Sequence, residues 1–249
     1  MIWDACNGSD HILPIAGELF RLIESQEQVA TMGYVDTLEE QALLEELLEA
    51  SKPSFASDEQ DDIHYLLRTP FRYPPLEYGS RYGAKHEPSL FYGGVSVAST
   101  LIESAYYRFV FLLSMDAGPF KRRLMTEHTL FKVRYASEKG ILLHKKPFAN
   151  YQTQLCDQKS YVVTQQLGAD MRNAGVEAFQ YQSARSLEAL VCVALFVPNV
   201  FIEDRPSMME PWLCDMSPSE VTFKAISSRV TYTFPLQMFE CDGVFPMPA

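Results

Sequence analysis

Between residues 68 and 103 the sequence gathers side chains suited to an anionic, ring-bearing ligand. Arg68, Arg72 and Arg81 lie in a Pro-rich stretch among Phe71, Tyr73, Tyr78, Tyr82, Phe91 and Tyr92. A guanidinium is a planar fork that donates two parallel hydrogen bonds to phosphate oxygens, so three of them here suit a diphosphate. The aromatic faces suit a ring such as nicotinamide or adenine. A single acid, Glu103, follows among Leu101, Ile102 and Ala105, an unusual setting for an unpaired carboxylate. A plainer structural reading stands beside this one, with Glu103 paired to Arg108 and the arginines solvated or holding the fold.

The motifs of commoner sites are missing. HExxH, GxGxxG, GxxxxGK and GxSxG do not occur, and His11, His64, His86, His128 and His144 share no ligand spacing, so no metal is expected. The five cysteines form no CxxC pair and read as reduced thiols of a cytoplasmic protein. The opening residues MIWDACNGSD lack the basic and apolar regions of a signal peptide, and the apolar run 189–197 is about half of what a membrane helix needs.

These side chains need elements to position them. Of the 249 residues, 47% are apolar and 21% charged, enough to bury a core. The net charge of -11 argues against nucleic acid or anionic lipid as the main partner. It is unevenly spread: residues 1–65 hold 15 acidic and two basic residues, whereas residues 66–150 hold 13 basic and six acidic. Ile15, Leu19, Leu22 and Ile23 fall at helical spacing, and Thr37 with Glu40 forms a capping box ahead of the leucines 43, 44, 47 and 48, a second helix stopped by Pro53. The segment 51–62 reads as a linker. Beyond it, a helix is expected over 99–113, two strands over 128–145 with a turn at Lys139-Gly140, and a helix within 160–175 ending at Gly175. A buried strand at 190–196 and a strand pair within 221–234 complete a mixed α+β chain.

Three stretches carry a resemblance. LLRTPFRYPPLEYGSRYG (66–83), SLFYGGVSVASTLIESAYYRF (89–109) and YQSAR (181–185) resemble the RES domain family, named for its Arg, Glu and Ser. The family shares an Arg before a Pro-containing stretch, a Gly-x-Arg-aromatic element, a strand ending in Tyr and a Glu eleven residues later. It also shares a Tyr-x-Ser-x-Arg segment before a buried strand. Here these fall on Arg68 or Arg72, on Gly79 to Tyr82, on Tyr92, on Glu103, and on Tyr181 to Arg185. Two positions depart: Ser80 stands where a second Gly is common, and Tyr82 where Trp or Phe is usual.

The resemblance implies an ADP-ribosyltransferase-like fold, with a split, mostly antiparallel sheet and flanking helices in residues 63–249. Residues 1–62 would be an acidic helical extension of one long subgroup, serving as a cover, a homodimer surface or a docking site. It further implies a toxin that consumes NAD as substrate, by phosphorolysis with inorganic phosphate or by hydrolysis. Modification of a protein target by ADP-ribosylation, or a non-catalytic NAD-binding module, are the alternatives. Glu103, Arg81 and Ser183 are then the catalytic candidates; Arg68, Arg72, Arg81, Tyr82, Tyr92 and Ser183 would contact the dinucleotide. An Xre-type antitoxin is the implied partner.

Overall fold

A computed structural model describes residues 1–25, 35–53, 62–115 and 123–248. Its helices are α1 (Ile2–Ala5), α2 (Leu38–Ser51), α3 (Tyr65–Arg72), α4 (Val97–Leu113), α5 (Gln152–Leu155) and α6 (Val162–Asn173). Its strands are β1 (Leu13–Glu24), β2 (Phe91–Gly94), β3 (Leu124–Leu142), β4 (Ala178–Gln182), β5 (Val191–Leu195), β6 (Met208–Met216), β7 (Glu220–Ala225) and β8 (Thr231–Pro235). Among the described residues they form one sheet ordered β1-β2-β5-β4-β3-β6-β7-β8, antiparallel except for β3 with β4. β1 also pairs along β3, from Leu13 with Gly140 to Glu24 with His128, so strands β1, β2, β5, β4 and β3 close into a ring. The fold is α+β, with helices flanking the sheet.

The helix expected from Ile15 onward is instead the strand β1. Ile15, Leu19 and Ile23 enter one core with Phe91, Phe131 and Val133, while Phe20 and Leu22 enter another with Leu101, Ala105 and Phe109 of α4. From Leu19 to Ile23 both faces of the strand meet apolar neighbours, so the apolar-polar alternation of a half-exposed strand is lost and the apolar residues mimic helical spacing. The acidic N-terminal stretch is therefore part sheet, and among its described residues α2 has the expected helical form. Residues 26–34 and 54–61, the latter within the expected linker, lie outside the described residues. Thr37 Oγ1 caps α2 by accepting from the Glu40 amide at 3.1 Å, and the Glu40 carboxylate accepts from the Asp36 amide at 2.8 Å.

No turn occurs at Lys139-Gly140, because β3 runs on to Leu142. Gly140 sits between Leu13 of β1 and Ala178 of β4, and a Cβ there would overlap the Ile15 side chain. The glycine serves close strand approach. The expected helices at 99–113 and before Gly175 are α4 and α6, with Gly175 at φ +79° just past the latter. The buried strand is β5, and the closing pair is β7 with β8. No helix among the described residues is long and apolar enough to cross a membrane.

Candidate functional site

A cleft of about 400 Å³ opens where β1 leaves β2, which it meets at the single register Phe20 with Gly94. One wall is a stripe of α4: Thr100, Glu103, Ser104, Tyr107 and Arg108 face the cleft, while Leu101, Ile102, Ala105 and Phe109 pack into the core. This is the division a 3.6-residue period makes between the two faces of a helix. Ser96 and Ser99 cap the start of α4 reciprocally, which fixes the helix that carries Glu103.

Glu103 does not pair with Arg108, which donates instead to Glu24 Oε2 at 2.7 Å. It accepts a 2.6 Å hydrogen bond from Ser183 Oγ, and Ser183, 1% exposed, accepts in turn from the Arg185 amide at 3.1 Å. The hydroxyl's one proton is thereby committed to the carboxylate. Arg185 anchors the segment from behind. Its guanidinium lies 3.4 Å above the centre of the Tyr106 ring and donates to Tyr161 Oη at 2.8 Å.

Arg81 enters from the turn between α3 and β2. Gly79 at φ +70° and the Ser80–Gly83 bridge make that turn, and a Cβ on Gly79 would overlap the Gly83 carbonyl. Ser80 is no bystander, since its Oγ meets Tyr92 Oη at 2.9 Å, and the same Tyr92 oxygen accepts from the Tyr82 amide at 3.1 Å. The hydroxyl of Tyr92 thus holds the Arg81 turn against β2, while the residue lines the cleft. Burial pushes this phenol up to about 12, so it is neutral at physiological pH. From the far side Gln165 Nε2 of α6 donates to the Tyr78 and Ser80 carbonyls at 2.9 and 3.1 Å. Gly168 lets α6 approach so closely that an added Cβ would collide with the Tyr82 carbonyl. Gly168→Ala is expected to cost about 1–3 kcal/mol, a fall in Tm of roughly 2–12 °C by calorimetry.

The arginines are the electrostatic feature of the site. Arg81 is 6% exposed; its Nη1 donates to the Asp157 carbonyl at 2.9 Å, its guanidinium lies 4.7 Å from the centre of the Tyr161 ring, and its Nη2 has no hydrogen-bond partner. Burial pulls its pKa down, but Tyr161 and Glu103 outweigh that and leave it raised. Arg21 of β1 lines the cleft too, donating to the Tyr92 carbonyl at 2.5 Å and lying 4.9 Å from the Phe91 ring centre. Burial pulls its pKa down to about 10, still charged at neutral pH. No ion pair joins either guanidinium to a carboxylate among the described residues. A guanidinium taken partly or wholly out of water without an ion-paired carboxylate is costly, and an anionic ligand relieves that cost.

The structure thus brings Arg81, Tyr92, Glu103 and Ser183 together and leaves three expected contacts elsewhere. Tyr82 is fully buried, its ring packed on Phe179 and Tyr181 at 4.9 and 5.0 Å, and it contributes core rather than cleft surface. Arg68 sits partly buried on α3, away from the cleft lining. Arg72 pairs with Glu49 of α2 at 2.6 Å and donates to the Pro53 carbonyl. Arg21, which the helical reading of β1 concealed, takes the place expected of Arg68 or Arg72. The signal for it was a lone cation among Leu19, Phe20, Leu22 and Ile23 in an otherwise acidic stretch. Among the described residues no group of three or more His, Cys, Asp or Glu side chains is placed to hold a metal ion.

No curated protein matches the sequence. A family model, that of the RES domain, matches residues 58–216, which include Arg81, Tyr92, Glu103 and Ser183. The chain belongs to the RES domain family, whose function is NAD-related and of the toxin type.

Proposed function

We propose that the cleft binds NAD and cleaves its nicotinamide–ribose bond, passing the ADP-ribosyl group to inorganic phosphate or water. The observation that carries this reading is one carboxylate, held by Ser183, in a cleft that also receives the buried Arg81 and the half-buried Arg21, neither of them ion-paired to a carboxylate among the described residues. Arg21 and Arg81 supply what a diphosphate needs, and Glu103 what the reacting sugar needs. As the C1′–N1 bond breaks, its electron pair neutralises the pyridinium and positive charge builds on the ribose, as in glycoside hydrolysis. A fixed carboxylate then stabilises the transition state more than the ground state. The acceptor oxygen closes the new bond to C1′; a water acceptor releases its proton to solvent, whereas a phosphate dianion carries none that must leave.

In this account Ser183 acts through Glu103. Its hydroxyl holds the carboxylate in one orientation, a positioning role in place of the expected contact with the nicotinamide ribose or amide. Ser183→Ala is expected to lower kcat about 10- to 100-fold with a smaller change in KM, because the carboxylate stays but loses its orientation. The sheet then serves as an ADP-ribosyltransferase-like frame, and an Xre-type antitoxin restrains the cleft.

The test is to incubate the purified chain with NAD and follow nicotinamide by chromatography, with and without phosphate. Release that needs phosphate identifies a phosphorylase, and release without it a glycohydrolase. ADP-ribose found on protein by mass spectrometry would replace both with a transferase. No nicotinamide under any of these conditions ends the enzyme reading.

A further inference from the structure

One turn beyond Glu103 the cleft reaches a corner that the reaction above does not use. Arg108 of α4 meets β1 and β3 there, and Leu22 and His128 line the same space. His128 lies opposite Glu24 in the β1–β3 register, and Glu24 is the carboxylate that Arg108 engages. Glu24 is the more exposed partner, and its bond occupies one nitrogen of the guanidinium, Nη1. His128 is 1% exposed; its Nε2 lies 2.8 Å from Thr126 Oγ1, and its Nδ1 makes no well-formed hydrogen bond, although the Ile23 carbonyl acts on the ring. A buried polar nitrogen left unsatisfied is costly. Such a nitrogen can take a partner from the cleft, and the arginine beside it favours an anionic one.

We infer that Arg108 and His128 form a phosphoryl-binding corner of this cleft. The tautomer in which Thr126 donates to Nε2 leaves a proton on Nδ1, and that N–H and the remaining N–H groups of Arg108 are the donors. Burial pushes the imidazole down to about 4, Arg108 acting in the same direction against Glu24 and the Ile23 carbonyl, so His128 adds a hydrogen bond without adding charge. Arg108 supplies the charge. Ser104 contributes no donor, because its hydroxyl is spent on the Thr100 carbonyl at 2.8 Å. The phosphoryl group is either free orthophosphate, which is the acceptor of phosphorolysis, or a phosphate of the dinucleotide itself. That link to NAD rests on the reading above, whereas the corner does not.

The test titrates the full chain with orthophosphate and, separately, with ADP-ribose, followed by 31P NMR and calorimetry. Saturable binding weakened at least about tenfold by Arg108→Gln and by His128→Phe, and partly kept by Arg108→Lys, is the expected result. Orthophosphate that still binds when ADP-ribose is saturating assigns the corner to the acceptor; orthophosphate displaced by ADP-ribose assigns it to the substrate's own phosphates. Equal affinities of wild type and folded Arg108→Gln and His128→Phe for both ligands overturn the inference, as does a wild type that binds neither. Nicotinamide release from NAD is measured on the same samples. A wild type that binds phosphate but releases none keeps the corner and removes the NAD reading.

Discussion

Glu103→Gln is expected to slow nicotinamide release from NAD about 10²- to 10³-fold, the usual loss when one preorganised electrostatic partner of a transition state is removed. The substitution is chosen for its shape. Gln keeps a carbonyl oxygen that can accept from Ser183 Oγ, now at 2.6 Å from Glu103, so the side chain stays in place and only its charge is removed. The uncharged nicotinamide product and the ground-state ribose lose little, whereas the oxocarbenium-like transition state loses its counter-charge, so kcat falls far more than KM rises. Steady-state kinetics on protein whose circular dichroism matches wild type is the measurement. Expression in a bacterium provides a second one: wild type should deplete NAD and arrest growth, and the variant should not. Growth arrest that persists with a folded, soluble variant would remove Glu103 from the chemistry.

The second large effect concerns Arg21. Arg21→Gln is expected to raise KM for NAD roughly 10- to 100-fold with kcat changed much less, since charge-assisted hydrogen bonds are worth about 1.5–3 kcal/mol and this one is made in ground and transition states alike. Stability should move the other way. Arg21 is a desolvated cation whose protein partners are one carbonyl and one aromatic face, so removing its charge leaves Tm unchanged or higher. A merely structural arginine would show the opposite pair of results, a lower Tm and an unaltered KM. Kinetics and thermal melts on one preparation separate the two.

Much of this site was legible in the sequence, and the reasons for the failures are physical. Glu103 stood out because a carboxylate on an apolar helix is locally odd, and Arg81 because it stands among arginines and aromatics suited to a diphosphate-bearing ligand and in a Gly-x-Arg-aromatic element of the family. The helices α2, α4 and α6 were visible through caps and a 3.6-residue period. Arg21 was hidden because β1 meets apolar neighbours on both faces from Leu19 to Ile23, which erases the strand period there and makes its neighbours look helical. Gly140 misled in a related way. A glycine can mark a turn or a close approach, and only the strand on either side decides which. The fate of Ser183 was beyond reach altogether, because nothing local says that a residue 80 positions away will accept its proton.

The pairing of β1 with β3 also sets a clock. Leu22 is made early, yet its register partner Leu130 emerges only after more than a hundred further residues. At about 5–20 residues per second, that interval is roughly 5–20 s of synthesis. Until then the ring is open and Arg21 has no cleft to line. A nascent chain therefore carries its N-terminal strand unpaired for seconds, and pairing over so long a loop is slow once it becomes possible. The cleft comes into being only after the segments bearing Arg81 and Glu103 have already left the ribosome.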